Sequence, residues 1–239
     1  MAQVRELAAR EGSAAKAATA LALLHASPAV RQQGPSCGVV GAALGAAVVR
    51  RRTAADGDGA AAIDADAVAL LACAREKGWS REGEAFDASQ LAQCATDVFP
   101  DIQVECVVKP LHEDDVVALL AGGAVVLVAY DADKDHTPRQ TRGANAHWAL
   151  VVGCVGSDLG EPDVAEPGLV VPLPFLRVSE LCVLVRHGKT THLGLWPFSR
   201  LAASNAQLSD GSTIDRERYV VPADLREHLA NRYITMRRR

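Results

Sequence analysis

The chain has 239 residues, of which 49% are apolar, 23% charged and only 4% aromatic, with a formal net charge of −4. That length suits one globular domain that can bury a core, built from Ala, Val and Leu in place of aromatics. The mild charge, without a domain-wide basic stripe, argues against a nucleic-acid binder, and the longest apolar run, Gly38–Val49, is too short and glycine-rich to span a bilayer.

In chain order, residues 1–30 read as an N-terminal helical segment, Ala-rich and lacking the basic start and unbroken apolar stretch of a secretory leader. A polar connector with two prolines, SPAVRQQGPS, leads into SCGVVGAALGAAVVRRR. This predicts a buried helix, with Ser36 as N-cap and Arg50, Arg51 and Arg52 complementing the C-terminal dipole. After a loop over Ala55–Gly59, helices are expected over Ala65–Lys77, ended by Gly78, and over Ala88–Val98, capped by Asp87. From residue 102 the pattern turns to strands: Ile102–Val108, Ala124–Tyr130, His147–Val155 and Leu181–Arg186, with a short helix over Glu113–Leu120 between the first two. Gly156–Pro174 reads as a surface loop, Thr191–Trp196 and Arg218–Val221 as further strands, and the tail from Ala223 as a helix ending in Arg237, Arg238 and Arg239. Helices followed by strands give an α+β fold. A single domain over 1–239 is expected, with a helical part at 31–100, a β part at 101–222 and a helical tail at 223–239.

The six cysteines lie far apart, with no CxxC and no metal-type spacing. They fit reduced thiols of a cytoplasmic protein, with no zinc site and no cofactor. Cys37 stands out, since it opens a helix after Gly34-Pro35-Ser36, where unpaired N–H groups and the helix dipole favour a thiolate. Gln32, five residues upstream, could donate its amide to an oxyanion, and Gln33 is the neighbouring alternative. A thiol nucleophile needs a base. His147 opens the strand HWALVVGCV directly after a long polar loop, where a sheet fixes a side chain that faces a cleft. Its rival, His136, lies within that loop. Cysteine on a helix and histidine on a strand about a hundred residues later is the order found in papain-like peptidases.

The stretch RQQGPSCGVVGAAL resembles the active-site segment of the actin maturation protease family, papain-like cysteine peptidases similar to the double-glycine peptidases. The segments EKGWSREGEAFDASQLA, VAYDADKDHTPRQTRGANAHWALVVG and HGKTTHLGLWPFSRLAASNAQL extend the resemblance from about Gln32 to about Val221. It implies a papain-like fold with a helical half followed by an antiparallel β half. It also implies an aminopeptidase-type activity that removes the N-acetylated first residue of immature actin and exposes an acidic N-terminus. In that scheme Cys37 is the nucleophile, His147 the general acid–base and Gln32 the oxyanion residue. Where relatives carry an Asp or Asn on a later strand, this chain reads Leu195-Trp196-Pro197, which leaves Asn205 or Asp158 as the third residue. Lys134, Arg139 and Arg142, in the loop entering His147, are the expected readers of an acidic substrate. Actin is the implied protein substrate, with an actin-presenting partner such as profilin left open, and neither nucleic acid nor membrane is involved. Two alternatives stand beside this reading: a cysteine peptidase or amidase with another substrate, and an inactive binding module of the same fold.

Overall fold

The computed structural model describes residues 20–51, 59–156, 169–173 and 180–239. Within them the chain runs β1 (Ala20–Leu24), α1 (Cys37–Val49), α2 (Gly59–Glu76), α3 (Ala88–Val98), β2 (Ile102–Val108), α4 (Glu113–Ala121), β3 (Val125–Ala132) and β4 (Pro138–Arg139). It continues with β5 (Ala146–Gly156), β6 (Leu169–Leu173), β7 (Cys182–Arg186), β8 (Gly194–Pro197), α5 (Phe198–Ala206) and β9 (Arg232–Arg238). The strands form one antiparallel sheet ordered β2-β9-β3-β5-β1-β6, with β7 also on β5, β8 on β7, and β4 on β3.

β3 and β5 are apolar at nearly every position because both faces of the sheet are covered. Trp148, Leu150 and Val152 of β5 join Leu127 of β3 and Ile234 of β9 in a core shared with α1, α2 and α3. Ala149, Val151 and Cys154 face the other way, toward Val116 and Leu120 of α4 and Phe198 and Leu201 of α5. The α+β architecture thus appears as a sheet between two helical layers, with β5 at its centre.

α1 is apolar almost all round, as a helix enclosed by protein should be. Gly38, Gly41 and Gly45 let it lie unusually close to the sheet. A Cβ on Gly41 would stand 2.7 Å from Leu127 Cδ1, and one on Gly45 2.7 Å from Met236 Sδ. Asp87 caps α3 as expected, its Oδ1 accepting from the N–H groups of Ser89 (2.8 Å) and Gln90 (3.1 Å).

Several expectations are corrected. Ala20–Leu24 is a strand rather than helix, pairing with both β5 and β6; residues 1–19 lie outside the described residues. The expected loop over Gly156–Pro174 contains β6, whose flanks also lie outside them. α2 begins at Gly59, earlier than Ala65. Arg218–Val221 forms no strand: the Val220 N–H donates to Glu84 Oε1 (2.9 Å) and Arg218 pairs with Glu82 (2.6 Å). The tail is not a helix at its end. Arg232–Arg238 is β9, inserted between β2 and β3. Its Tyr233-Ile234-Thr235-Met236 run carries β-forming side chains, and both covered faces of the sheet reward them.

Candidate active site

Cys37 is the first residue of α1, and His147 is the second of β5. Because α1 packs across β5, one cleft is lined by both, in a cavity of about 230 Å³ that also includes Gln32, Glu84, Trp148, Lys189 and Tyr219. Ser36 stands at the N-cap position but does not cap the helix, since its hydroxyl donates to Gln33 O (2.7 Å). First-turn N–H groups therefore remain available to the sulfur.

Cys37 is half-buried. Burial raises its thiol pKa, opposed by the Trp148 N–H, the charge of Lys189, and the N–H groups of Gly38 and Cys37 itself, and burial prevails. The helix N-terminus alone led to the expectation of a thiolate. In the folded protein burial opposes that effect and favours the thiol. Burial likewise lowers the His147 pKa to about 4, with the His187 carbonyl opposing and Lys189 reinforcing the shift. Burial thus disfavours the charged form of both members of the pair.

The His147 ring packs edge-on against buried Tyr130, with ring centres 5.7 Å apart. Its Nε2 lies 2.8 Å from the backbone carbonyl of His187. His136 stands in the loop with φ +66°, its ring centre 6.4 Å from that of His147, and it does not line the cleft.

The loop that delivers His147 is organised from beneath. Asp131, fully buried at the end of β3, accepts from the N–H groups of Thr141 (2.7 Å), Gly143 (3.0 Å) and Asn145 (2.9 Å) and from the Thr141 hydroxyl. Burial pushes this carboxyl upward, but those donors prevail and hold it below the usual carboxylate range. The SNAQL segment completes the clamp. Ser204 Oγ accepts from Asp131 N (2.8 Å) and donates to Arg139 O (2.6 Å), and Gln207 Oε1 accepts from Arg142 N.

Of the other expected site residues, Gln32 lines the cleft and Gln33 is exposed outside it. Gln32 N donates to Gly188 O (2.8 Å) and its Nε2 to Gly34 O (2.9 Å). Asn205 makes no hydrogen bond to the His147 ring. It is buried, and its Nδ2 donates to the carbonyls of Ala129 (2.9 Å), Arg232 (3.1 Å) and Leu229 (3.3 Å), tying α5 to β3 and β9. Asp158 lies outside the described residues. Lys134, Arg139 and Arg142 do not line the cleft: Lys134 is exposed, Arg139 pairs with Asp133 (3.0 Å), and the Arg142 carbonyl accepts from Ser209 and Asp210. The cation on the cleft wall is Lys189, in the segment HGKTTH. Nothing local in the sequence distinguishes it from any surface lysine. Among the described residues no group of His, Cys, Asp and Glu could hold a metal ion, and no helix is long and apolar enough to cross a membrane.

A family model described as "Actin maturation protease-like, C-terminal domain" matches residues 27–155, over half of the chain and inclusive of both Cys37 and His147. The chain belongs to the actin maturation protease-like family. It is 31% identical over 222 residues to the actin maturation protease of Mus musculus, covering 82% of this chain and 58% of that protein. To the Danio rerio protein of the same name it is 29% identical over 233 residues, covering 89% and 73%. It spans 66% of the length of the Xenopus tropicalis relative. A crystal structure of a C39-like peptidase from Bacillus anthracis superposes with a TM-score of 0.50 at 13% identity, covering 92% of this chain and 98% of that one. That likeness establishes a papain-like fold for this member of the actin maturation protease-like family.

Proposed function

We propose that this chain is a cysteine aminopeptidase that removes the N-acetylated first residue of immature actin. The observation that carries the reading is the meeting of Cys37 and His147 in one cleft, inside the segment matched by the family model. The names of the relatives supply the substrate. In the reaction His147 Nδ1 takes the Sγ proton as sulfur attacks the carbonyl carbon of the acetylated first residue. The C–N bond breaks, the departing amine takes the proton from His147, and an acyl thioester remains. Water then attacks that thioester, with its proton passing to His147 and on to the sulfur, and the acetylated amino acid leaves.

Starting from a neutral pair, the negative charge develops only in the transition state, where preorganised donors act most strongly. Gln32 supplies one such donor at the cleft wall and the first-turn N–H groups of α1 supply others. Lys189 takes over the role first expected of Lys134, Arg139 and Arg142, as the cation placed to meet an acidic residue beyond the scissile bond. A cytoplasmic setting, with an actin-presenting partner such as profilin, is part of the same proposal.

The test is mass spectrometry of an acetylated actin N-terminal peptide incubated with wild type and with Cys37→Ala. Loss of one acetylated residue is expected with wild type alone. An intact peptide, with Cys37 still selectively labelled by a thiol reagent, would point to a cysteine peptidase of different substrate. An intact peptide with no selective labelling would point to an inactive binding module.

A further inference from the structure

Papain-like sites need an acceptor that holds the base histidine by its far nitrogen, and neither expected side chain is seen to serve. Asn205 spends its amide on the carbonyls of Ala129, Leu229 and Arg232, and none of its hydrogen bonds goes to the His147 ring. Among the described residues no carboxylate or amide side chain hydrogen-bonds the His147 ring. What bonds it is a peptide group, the His187 carbonyl, 2.8 Å from Nε2. A carbonyl oxygen can only accept, so Nε2 carries the hydrogen and Nδ1 carries the lone pair.

We infer that the main-chain carbonyl of His187 is the orienting group of the catalytic pair, and that the turn after β7 is built to hold it still. This rests on the assignment of Cys37 and His147 made above. The carbonyl is anchored from both sides. The His187 ring is buried and stacks on Trp196 of β8, centres 5.6 Å apart and planes 25° from parallel. Immediately after it, Gly188 O accepts from Gln32 N at 2.8 Å, and the φ of +72° at Gly188 makes the turn that brings this about. Any Cβ at Gly188 would meet Gln32 Oε1 at 2.7 Å. Immediately before it, buried Arg186 donates to the Thr191 carbonyl across the turn and to Ser27 Oγ (3.1 Å) and Ser27 O (3.2 Å). A single short turn therefore positions both the base and the residue on the oxyanion side. Deviations of even ~1 Å in such a site are costly.

The choice of acceptor has a chemical consequence. A carboxylate would stabilise an imidazolium through its charge; a peptide carbonyl orients the ring without that charge. The groups facing His147 are the rings of Tyr130, His136 and His187 and the cation of Lys189, with the Cys37 thiol and Glu84 on the same cleft wall. The carbonyl therefore selects the tautomer, with the hydrogen on Nε2 and the lone pair on Nδ1.

The decisive variant changes one backbone atom. Glycolic acid in place of Gly188 converts the 187–188 peptide to an ester, a weaker acceptor, and leaves every side chain intact. The readout is the rate of Cys37 alkylation by iodoacetamide against pH, located by mass spectrometry, with half-buried Cys73 and Cys106 as internal controls. The ester should slow alkylation of Cys37 at pH 7 about three- to tenfold, the range expected for one weakened hydrogen bond, with the control cysteines and the melting temperature unchanged. His187→Ala should slow it similarly, and His187→Phe, which keeps the stack on Trp196, should restore it. Asp158→Asn should leave the rate alone. An ester with the wild-type rate, or an Asp158→Asn loss as large as that of His147→Ala, would each overturn the inference. If His147→Ala itself left alkylation unchanged, the Cys37–His147 assignment would fall, and this inference with it. Failure to cleave the actin peptide, with the ester effect intact, would overturn only the substrate.

Discussion

At the scale of single residues, the site is a contest between local electrostatics and burial. The start of a helix should stabilise a thiolate by roughly 0.3–1 kcal/mol at an exposed end, yet the enclosed setting of Cys37 outweighs it and raises the thiol pKa. Lys189 is the cleft-lining cation that opposes the rise of the thiol pKa and is proposed to meet the substrate. Lys189→Gln should therefore reduce kcat/KM for a peptide with acidic residues after the scissile bond by roughly tenfold, and flatten its salt dependence. A peptide with neutral residues there should lose less. Equal losses for both peptides would leave Lys189 with a role at the thiol alone. Cys37 and His147 could be found from sequence because each opens a regular element beside a turn. Lys189 and the His187 carbonyl could not, since one is an ordinary surface lysine by sequence and the other is a peptide group common to every residue.

At the scale of elements, glycine spacing in α1 decides how near the nucleophile comes to the base. Gly45 faces Met236 and Leu150, both fully buried, at distances that leave no room for a side chain. Gly45→Val should destabilise the protein by about 1–3 kcal/mol through overpacking, measured by urea unfolding. It should also reduce Cys37 alkylation as the helix is pushed off the sheet, and Met236→Ala should recover part of both losses. A variant as stable and reactive as wild type would show that α1 does not need this close approach. The SNAQL segment teaches the same lesson from the opposite side. The residue type of Asn205 suggests catalysis, but its three carbonyl partners make it a tie between α5, β3 and β9. Which polar side chain serves the reaction and which serves the framework is settled by where its hydrogen bonds go.

At the scale of the whole molecule, the sheet covered on both faces encloses three histidines whose pKa values burial lowers: His25, bonded through Nε2 to Leu120 O, and the neighbours His147 and His187. Unfolded histidine titrates near ~6.5. Below that pH the unfolded chain binds protons that the folded chain refuses, so stability falls as pH drops toward about 4, where His147 and His187 titrate in the fold. The buried carboxylates Glu84, Asp87 and Asp131 have lowered pKa values, and their contribution is lost only as the pH falls through the carboxylate range. The melting temperature should thus begin to decline near pH ~6.5, and His25→Gln should make that decline shallower. A melting temperature constant down to pH 5 would contradict this account.

The same scale separates what can be read along the chain from what cannot. α3 and β2 appear at their expected bounds, and β5 within one residue at each end, because each has a cap, a run of valines or a proline to mark it. The buried helix after Ser36 and the two-faced burial of β5 follow from local pattern in the same way. The strand at Ala20–Leu24, the strand at Arg232–Arg238 and the partners of Asn205 do not. An Ala-Leu run or an Arg-flanked Tyr-Ile-Thr-Met run has no fixed form of its own; it becomes a strand where distant neighbours leave an open edge, here between β5 and β6 and between β2 and β3. Local patterns thus determined the type of most elements and singled out Cys37 and His147 as the proposed nucleophile and base. Contacts between residues far apart in sequence determined the sheet's edges, the burial that disfavours charge on Cys37 and His147, and the peptide carbonyl that orients the histidine, because burial and hydrogen-bond partners exist only once the chain has folded.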